Sequence, residues 1–260
     1  YHIISSYFAP RGHHRMYALG MQLAQLYLSP FDKLIGIIGE AGSGKSALIR
    51  GMFPGLELTN DDEGVNVRPL PLLCQDEENR FYSPHTYHLD MRFEMGFSQL
   101  HTLVEGIQEA VARGKRVIIE HFDLVYEALH FNADLIVGIG EEVIVTRPNI
   151  FGPLPSDVAR IVHRSVRTRL MAHTAEDLCE WHMPEKEVMR ALHGDIKNGF
   201  LMIFHDSPPE VDLDELEAKV QADIAADMPV EYVDDRTIRI GDALQPCTGP
   251  RTHVSNTGKI

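Results

Sequence analysis

Apolar positions in the first half of this 260-residue chain switch between helical and strand-like patterns. Within residues 16–28 they recur at helical spacing, which predicts a helix ahead of the first strand. Leu34, Ile35, Gly36, Ile37 and Ile38 then form a short apolar run of strand type, and the residues from Ala47 to Met52 suit a helix. Beyond it, residues 60–64 carry turn chemistry, and residues 65–73 read as an extended segment limited by Pro69 and Pro71. Phe93, Phe97, Leu100, Leu103, Val104, Ile107 and Val111 fit one helix over residues 93–113, ended by Gly114. A β-branched run at 116–120 has the character of a parallel strand covered on both faces, and 133–138 and 143–145 suggest two more.

Strands alternating with helices predict an α/β fold: an open, mostly parallel sheet with helices on both faces, its ligands at the strands' C-terminal ends. Pro148 and the stretch Phe151, Gly152, Pro153, Leu154, Pro155 interrupt this pattern. They divide the chain into an N-terminal domain at 1–153 and a smaller C-terminal one at 154–260.

Between the first apolar run and its helix lie Gly39, Glu40, Ala41, Gly42, Ser43, Gly44, Lys45 and Ser46, which read G-x-x-x-x-G-K-[ST]. This is a P-loop in its expected context of strand, loop and helix. Glycines let backbone N–H groups turn inward around phosphates, Lys45 reaches the β- and γ-phosphates, and the Ser46 hydroxyl suits Mg²⁺. With Ala47 the helix opens, and its unpaired N–H groups favour the same anion. The competing reading, a glycine-rich turn before an ordinary helix, leaves the coincidence of strand, motif and helix unexplained.

Composition narrows the partners. A formal charge of -14 argues against a broad nucleic-acid surface, tRNA included. The basic stretch at 160–169 is the one local exception, and it also reads as a solvated helix face. Arg11, Gly12, His13, His14 and Arg15 likewise read either as ligand contacts or as a polar helix start. No apolar run approaches the roughly 18 residues that span a bilayer, and no signal-peptide pattern opens the chain, so a cytoplasmic address is expected. Three well-separated cysteines, Cys74, Cys179 and Cys247, suggest reduced thiols.

Phosphoryl transfer from a Mg²⁺-nucleotide uses a carboxylate at a neighbouring strand end. Glu120 is placed for that, with Asp123 a second candidate, and either also reads as a helix cap or loop acid. In the segment from His85 to Arg92, Arg92 can pair a phosphate and Asp90 can take a hydroxyl proton; a capped helix start with surface histidines is the alternative. The P-loop, the later acid and the His/Asp insert together resemble the P-loop kinase group that includes uridine and adenylate kinases. That resemblance implies ATP and Mg²⁺, although no arginine-rich lid is evident.

Further on, His173 and Asp177 stand four apart, on one face of a helix, while Cys247 and His253 flank a tight Gly-Pro loop. Nitrogen, sulfur and carboxylate donors of this kind can complete a tetrahedral zinc site. Residues 167–176, 214–217, 229–230, 240–247 and 252–260 resemble, in the same order, the second additional domain of alanyl-tRNA synthetase. That domain also occurs in threonyl-tRNA synthetases and in free-standing editing proteins, and continues with further strand beyond the point matching Ile260. The resemblance implies a smaller α+β domain, a zinc ion held by an H-x-x-x-H and a C-x-x-x-H pair, and hydrolysis of mischarged aminoacyl-tRNA. Asp177 stands where the family has its second histidine, and the Cys247–His253 interval is two residues longer.

Three functions follow as expectations. The first is an ATP-binding phosphotransferase or ATPase with an editing-like ligand-recognition module, in which Lys45, Glu120, Asp123 and Asp90 act on the phosphoryl group and its acceptor. The second is a zinc-dependent aminoacyl-tRNA deacylase using His173, Asp177, Cys247 and His253. The third is a non-catalytic ATP-dependent switch.

Overall fold

Strand β2 (Leu34–Gly39) is buried along its whole length because both of its faces are covered. Leu34 and Ile38 enter one apolar core, and Ile35 and Ile37 enter another on the opposite face, as the two-residue period of a strand requires. Helices α1 (His13–Tyr27) and α2 (Lys45–Met52) cover the second face; α4 (Leu100–Ala112) and the first turns of α6 (Pro155–His182) cover the first. The computed structural model describes residues 3–60, 67, 70–75 and 85–260.

On either side of β2 lie β4 (Arg116–Glu120) and β5 (Leu135–Ile139), both parallel to it, and β3 (Thr86–Asp90) lies parallel to β4. The remaining strands make the sheet, expected to be mostly parallel, a mixed one. β6 (Glu142–Thr146) returns antiparallel to β5, and β1 (Ile3–Phe8) adds antiparallel to β6, giving the order β1-β6-β5-β2-β4-β3. Only Gly140 and Glu141 separate β5 from β6, too short a link for a crossover, so a hairpin is the only connection available.

Two further elements differ from expectation. β1 precedes α1, although its sequence lacks apolar alternation; its pairing is supplied by β6. The long helix foreseen at 93–113 is two pieces, α3 (Met91–Glu94) and α4, because the chain closes a turn in which Gly96 and Phe97 donate to Phe93 and Glu94. Residues 61–64 of the expected turn and 65, 66, 68 and 69 of the expected extended segment lie outside the described residues; Pro71–Leu73 is a 3-10 turn. A second 3-10 turn, Phe122–Leu124, and α5 (Tyr126–Leu129) lead from β4 to β5.

A smaller part follows: α7 (Glu185–Arg190), the hairpin of β7 (Leu192–Ile196) and β8 (Gly199–Ile203), α8 (Leu213–Ala225), and a sheet of β9 (Val230–Asp234), β10 (Thr237–Ile240) and β11 (Ala243–Pro246). Leu178, Val220, Ile238, Ile240 and Cys247 form its core. The 28-residue helix α6 is shared, since its Val158, Ala159 and Val162 belong to the core of the large sheet and its Leu178 to the small one. No described helix is long and apolar enough to cross a membrane.

Helix α2 is held against α1 by a glycine pair. A Cβ at Gly51 would lie 2.1 Å from the Tyr17 carbonyl oxygen, and one at Gly20 would lie 2.2 Å from that of Leu48. Gly51→Ala therefore has to force the helices apart and is expected to destabilise the fold by about 1–3 kcal/mol, read as a lowered urea midpoint.

Candidate functional site

The chain leaves β2 at Gly39, runs through residues 40–44 and starts α2 at Lys45. Gly42 and Gly44 have φ of +76° and +99°, left-handed values that glycine adopts without a Cβ penalty. Among the described residues no side chain caps α2, so its N-terminus faces the cleft with its own amides. Lys45 is buried; its Nζ donates to the Glu40 carbonyl at 3.0 Å and lies 3.7 Å from Glu120 Oε2.

Strand register decides what stands opposite. Glu120 pairs with Ile37 of β2 on one side and with Asp90 of β3 on the other, which sets both carboxylates at the C-terminal edge of the sheet. The cleft between loop and edge has a volume of about 380 Å³. Gly42, Gly44, Lys45, Ser46 and Ala41 line one wall, and Asn60, Asp90, Arg92, Phe93, Glu120 and His121 the other.

Glu120 is almost fully buried, yet it stays ionised. Burial pushes its pKa up, but the hydrogen bond from His88 and the charge of Lys45 outweigh that and hold it below the usual carboxylate range. The proton positions on His88 follow from its partners. Its Nδ1 accepts from the Thr59 backbone N–H at 3.1 Å, which leaves Nε2 as the protonated nitrogen that donates to Glu120 Oε1 at 3.0 Å. Thr59 Oγ1 donates to the His88 carbonyl at 3.1 Å and completes the clamp.

Asp90 is committed structurally, since Oδ1 accepts the Phe93 N–H and caps α3 while Oδ2 accepts from Asn60. Asp123 is absent from the lining among the described residues. His121, at φ +56°, turns the chain into the 3-10 turn, so the imidazole faces the cleft in place of the aspartate. Burial, Lys45 and Arg92 together push the His121 pKa down, favouring neutral imidazole. Oxygen or nitrogen donors of Asp90, Glu120 and His121 all lie within 4.8 Å of one another, a spacing that suits a divalent cation.

A second cluster lies where α6 meets the loop after β11. His173, Thr174, Glu176 and Asp177 are all buried on α6. Thr174 Oγ1 donates to the Leu170 carbonyl and accepts from the Val254 N–H, so its contact with His253 at 3.2 Å leaves the imidazole Nδ1 as donor. His253 Nε2 therefore presents a lone pair, 3.2 Å from Cys247 Sγ and 3.4 Å from Asp177 Oδ2. That carboxylate oxygen is buried without a hydrogen-bond partner among the described residues. These three donors fit a metal ion such as zinc, with Thr174 fixing the histidine behind them.

His173, the fourth residue of the expected set, lies outside the converging group of Asp177, Cys247 and His253. Its Nε2 points toward Asp195 of β7, 3.7 Å away, and burial pushes its pKa down to about 4. Arg11, from the turn after β1, reaches the cluster instead. Its guanidinium is hydrogen-bonded to Glu176 at 2.8 Å, to Cys247 Sγ at 3.1 Å and to Asp177 Oδ1. Burial opposes its charge, and the carboxylates of Asp177 and Glu176 favour it. Without a metal, burial holds the Cys247 thiol up at about 11, so it is protonated.

The contacts of the turn containing Arg11 and the site roles of Thr59 and Thr174 were not legible in the sequence, and Asn60 read only as part of a turn. The signal for His88 was present: an imidazole inside the strand run Tyr87, His88, Leu89 has to find a buried partner. No protein-family model and no curated protein matches the chain.

His88→Leu removes the donor from a buried carboxylate and is expected to cost about 1.5–3 kcal/mol at neutral pH. Because the folded pKa of Glu120 is depressed, the stability it contributes is present above its unfolded pKa and lost as pH falls through the folded one. The gap between wild type and variant should therefore narrow in acid, as paired denaturant titrations would show.

Proposed function

We propose that the chain is an ATP-binding P-loop protein, a phosphotransferase or ATPase, working with a ligand-recognition module like the second additional domain of alanyl-tRNA synthetase. One observation carries this reading: Lys45, at the start of α2, and the buried, ionised Glu120, at the end of the adjacent parallel strand, face each other across one cleft. The left-handed glycines and the uncapped helix start supply amides for a triphosphate, and Lys45 supplies the matching charge.

Mg²⁺, when bound, would screen the phosphate oxygens, with Ser46 and Glu120 as the residues to hold it. Lys45 releases its contacts with the Glu40 carbonyl and Glu120 to take a phosphate oxygen. With Asp123 outside the cleft and Asp90 engaged by Asn60, the neutral His121 is the group best suited to accept a proton from an attacking hydroxyl or water. Arg92 and Asn60 border the side from which an acceptor would enter.

Lys45→Met should lower ATP turnover by about 10²–10³-fold and weaken nucleotide binding, measured by phosphate release and calorimetry. Unchanged turnover and affinity would remove this reading.

The lone pair of His253 beside Cys247 and the unpartnered Asp177 oxygen favour a second reading, a zinc-dependent aminoacyl-tRNA hydrolase of the editing type. Asp177, Cys247 and His253 would then hold the zinc, Arg11 would orient Asp177 and Cys247, and the metal would supply an activated water for hydrolysis. The net charge of -14 makes a broad tRNA footprint unfavourable. Metal analysis should find about one zinc per chain, lost in His253→Ala; zinc-free protein after reconstitution would discard this reading.

A further inference from the structure

The two clusters share a wall. Arg169 of α6 is 4% exposed, and its guanidinium donates to the Ser43 carbonyl at 2.8 Å and to that of Pro10 at 3.1 Å. One residue beyond Pro10, Arg11 enters the Asp177 and Cys247 cluster. The loop between Cys247 and His253 closes the circuit. A Cβ at Gly42 would lie 2.9 Å from the Arg251 carbonyl oxygen, so the glycine-rich loop and the 247–253 loop touch backbone to backbone. Gly12 packs in the same way on Thr248, where a Cβ would lie 3.1 Å from the carbonyl oxygen.

We propose that metal binding by Asp177, Cys247 and His253 and nucleotide binding by residues 39–46 are positively coupled through this wall. The inference rests on both site readings above. Cys247 and His253 stand at the two ends of the 247–253 loop, so a metal ion joining them clamps its ends. The Arg251 carbonyl, near the middle, is then held against Gly42 while Arg169 holds the Ser43 carbonyl outward, away from where phosphates bind. A loop already held open on its outer face has less conformational freedom to lose when its amides close on a triphosphate. Reciprocity requires nucleotide to tighten metal binding by the same factor.

Co²⁺ serves as the metal, because its thiolate charge-transfer band reports Cys247 coordination and should vanish in Cys247→Ser. The full chain is titrated with a non-hydrolysable ATP analogue and Mg²⁺, with and without Co²⁺, and then with Co²⁺ at saturating analogue. We expect the analogue to bind about 5-fold or more tightly to the loaded chain, and the same factor for Co²⁺ in the reverse titration. Arg169→Gln should bring both ratios to about one while each ligand still binds. If that variant fails to fold, the two wild-type ratios decide alone. Binding of both ligands with ratios near one, or with mutual weakening, overturns the coupling while leaving both sites standing. Absence of analogue binding or of the thiolate band instead overturns the corresponding site reading, and the coupling with it.

Discussion

Buried carboxylates constrain this molecule more than any other feature, because an ionised group taken out of water has to be met by charge or by well-aimed donors. Glu120 meets that demand with His88 and Lys45, and Glu176 meets it with His193 and Arg11, whereas at Asp177 burial outweighs Arg11 and leaves the pKa raised. The partners come from different segments: a strand, a helix start and the turn after β1. Satisfying each carboxylate therefore fixes how those segments sit together.

The same constraint gives each cluster a second property. At the sheet edge, the lysine that neutralises Glu120 also borders the cleft, so a charge held for folding is available to an anionic ligand. At the second cluster, Arg11 uses one oxygen of Asp177 and leaves the other without a hydrogen-bond partner among the described residues. A carboxylate divided in this way, beside a histidine whose far nitrogen is tied to Thr174, is how protein metal sites hold their ligands in register. That chemistry supports the proposed reading of the site.

Much of the large sheet was legible from short-range pattern. Leu34 to Ile38, the β-branched run at 116–120 and the apolar positions of α4 announce themselves because each has to bury a regular set of side chains. β1 was not legible: Ile3, Ile4, Ser5 and Ser6 have no alternation, and their strand exists because β6 offers an edge. The site was legible in its local part, Gly39 to Ser46 and Glu120. Arg169 illustrates the limit, reading as part of a solvated basic face yet lying buried with its guanidinium on two carbonyls.

Periodicity and motif spacing, which are local, determined by themselves the α/β class, the glycine-rich loop between strand and helix, and the donor types at 173, 177, 247 and 253. Tertiary structure alone decided that β1 adds to the edge of β6, that His121 rather than Asp123 faces the cleft, and that Arg11 meets Asp177 across 166 positions of chain. Those outcomes depend on desolvation and pairing between distant segments, energies that exist only once the chain has closed on itself and that leave no periodic trace in the order of residues.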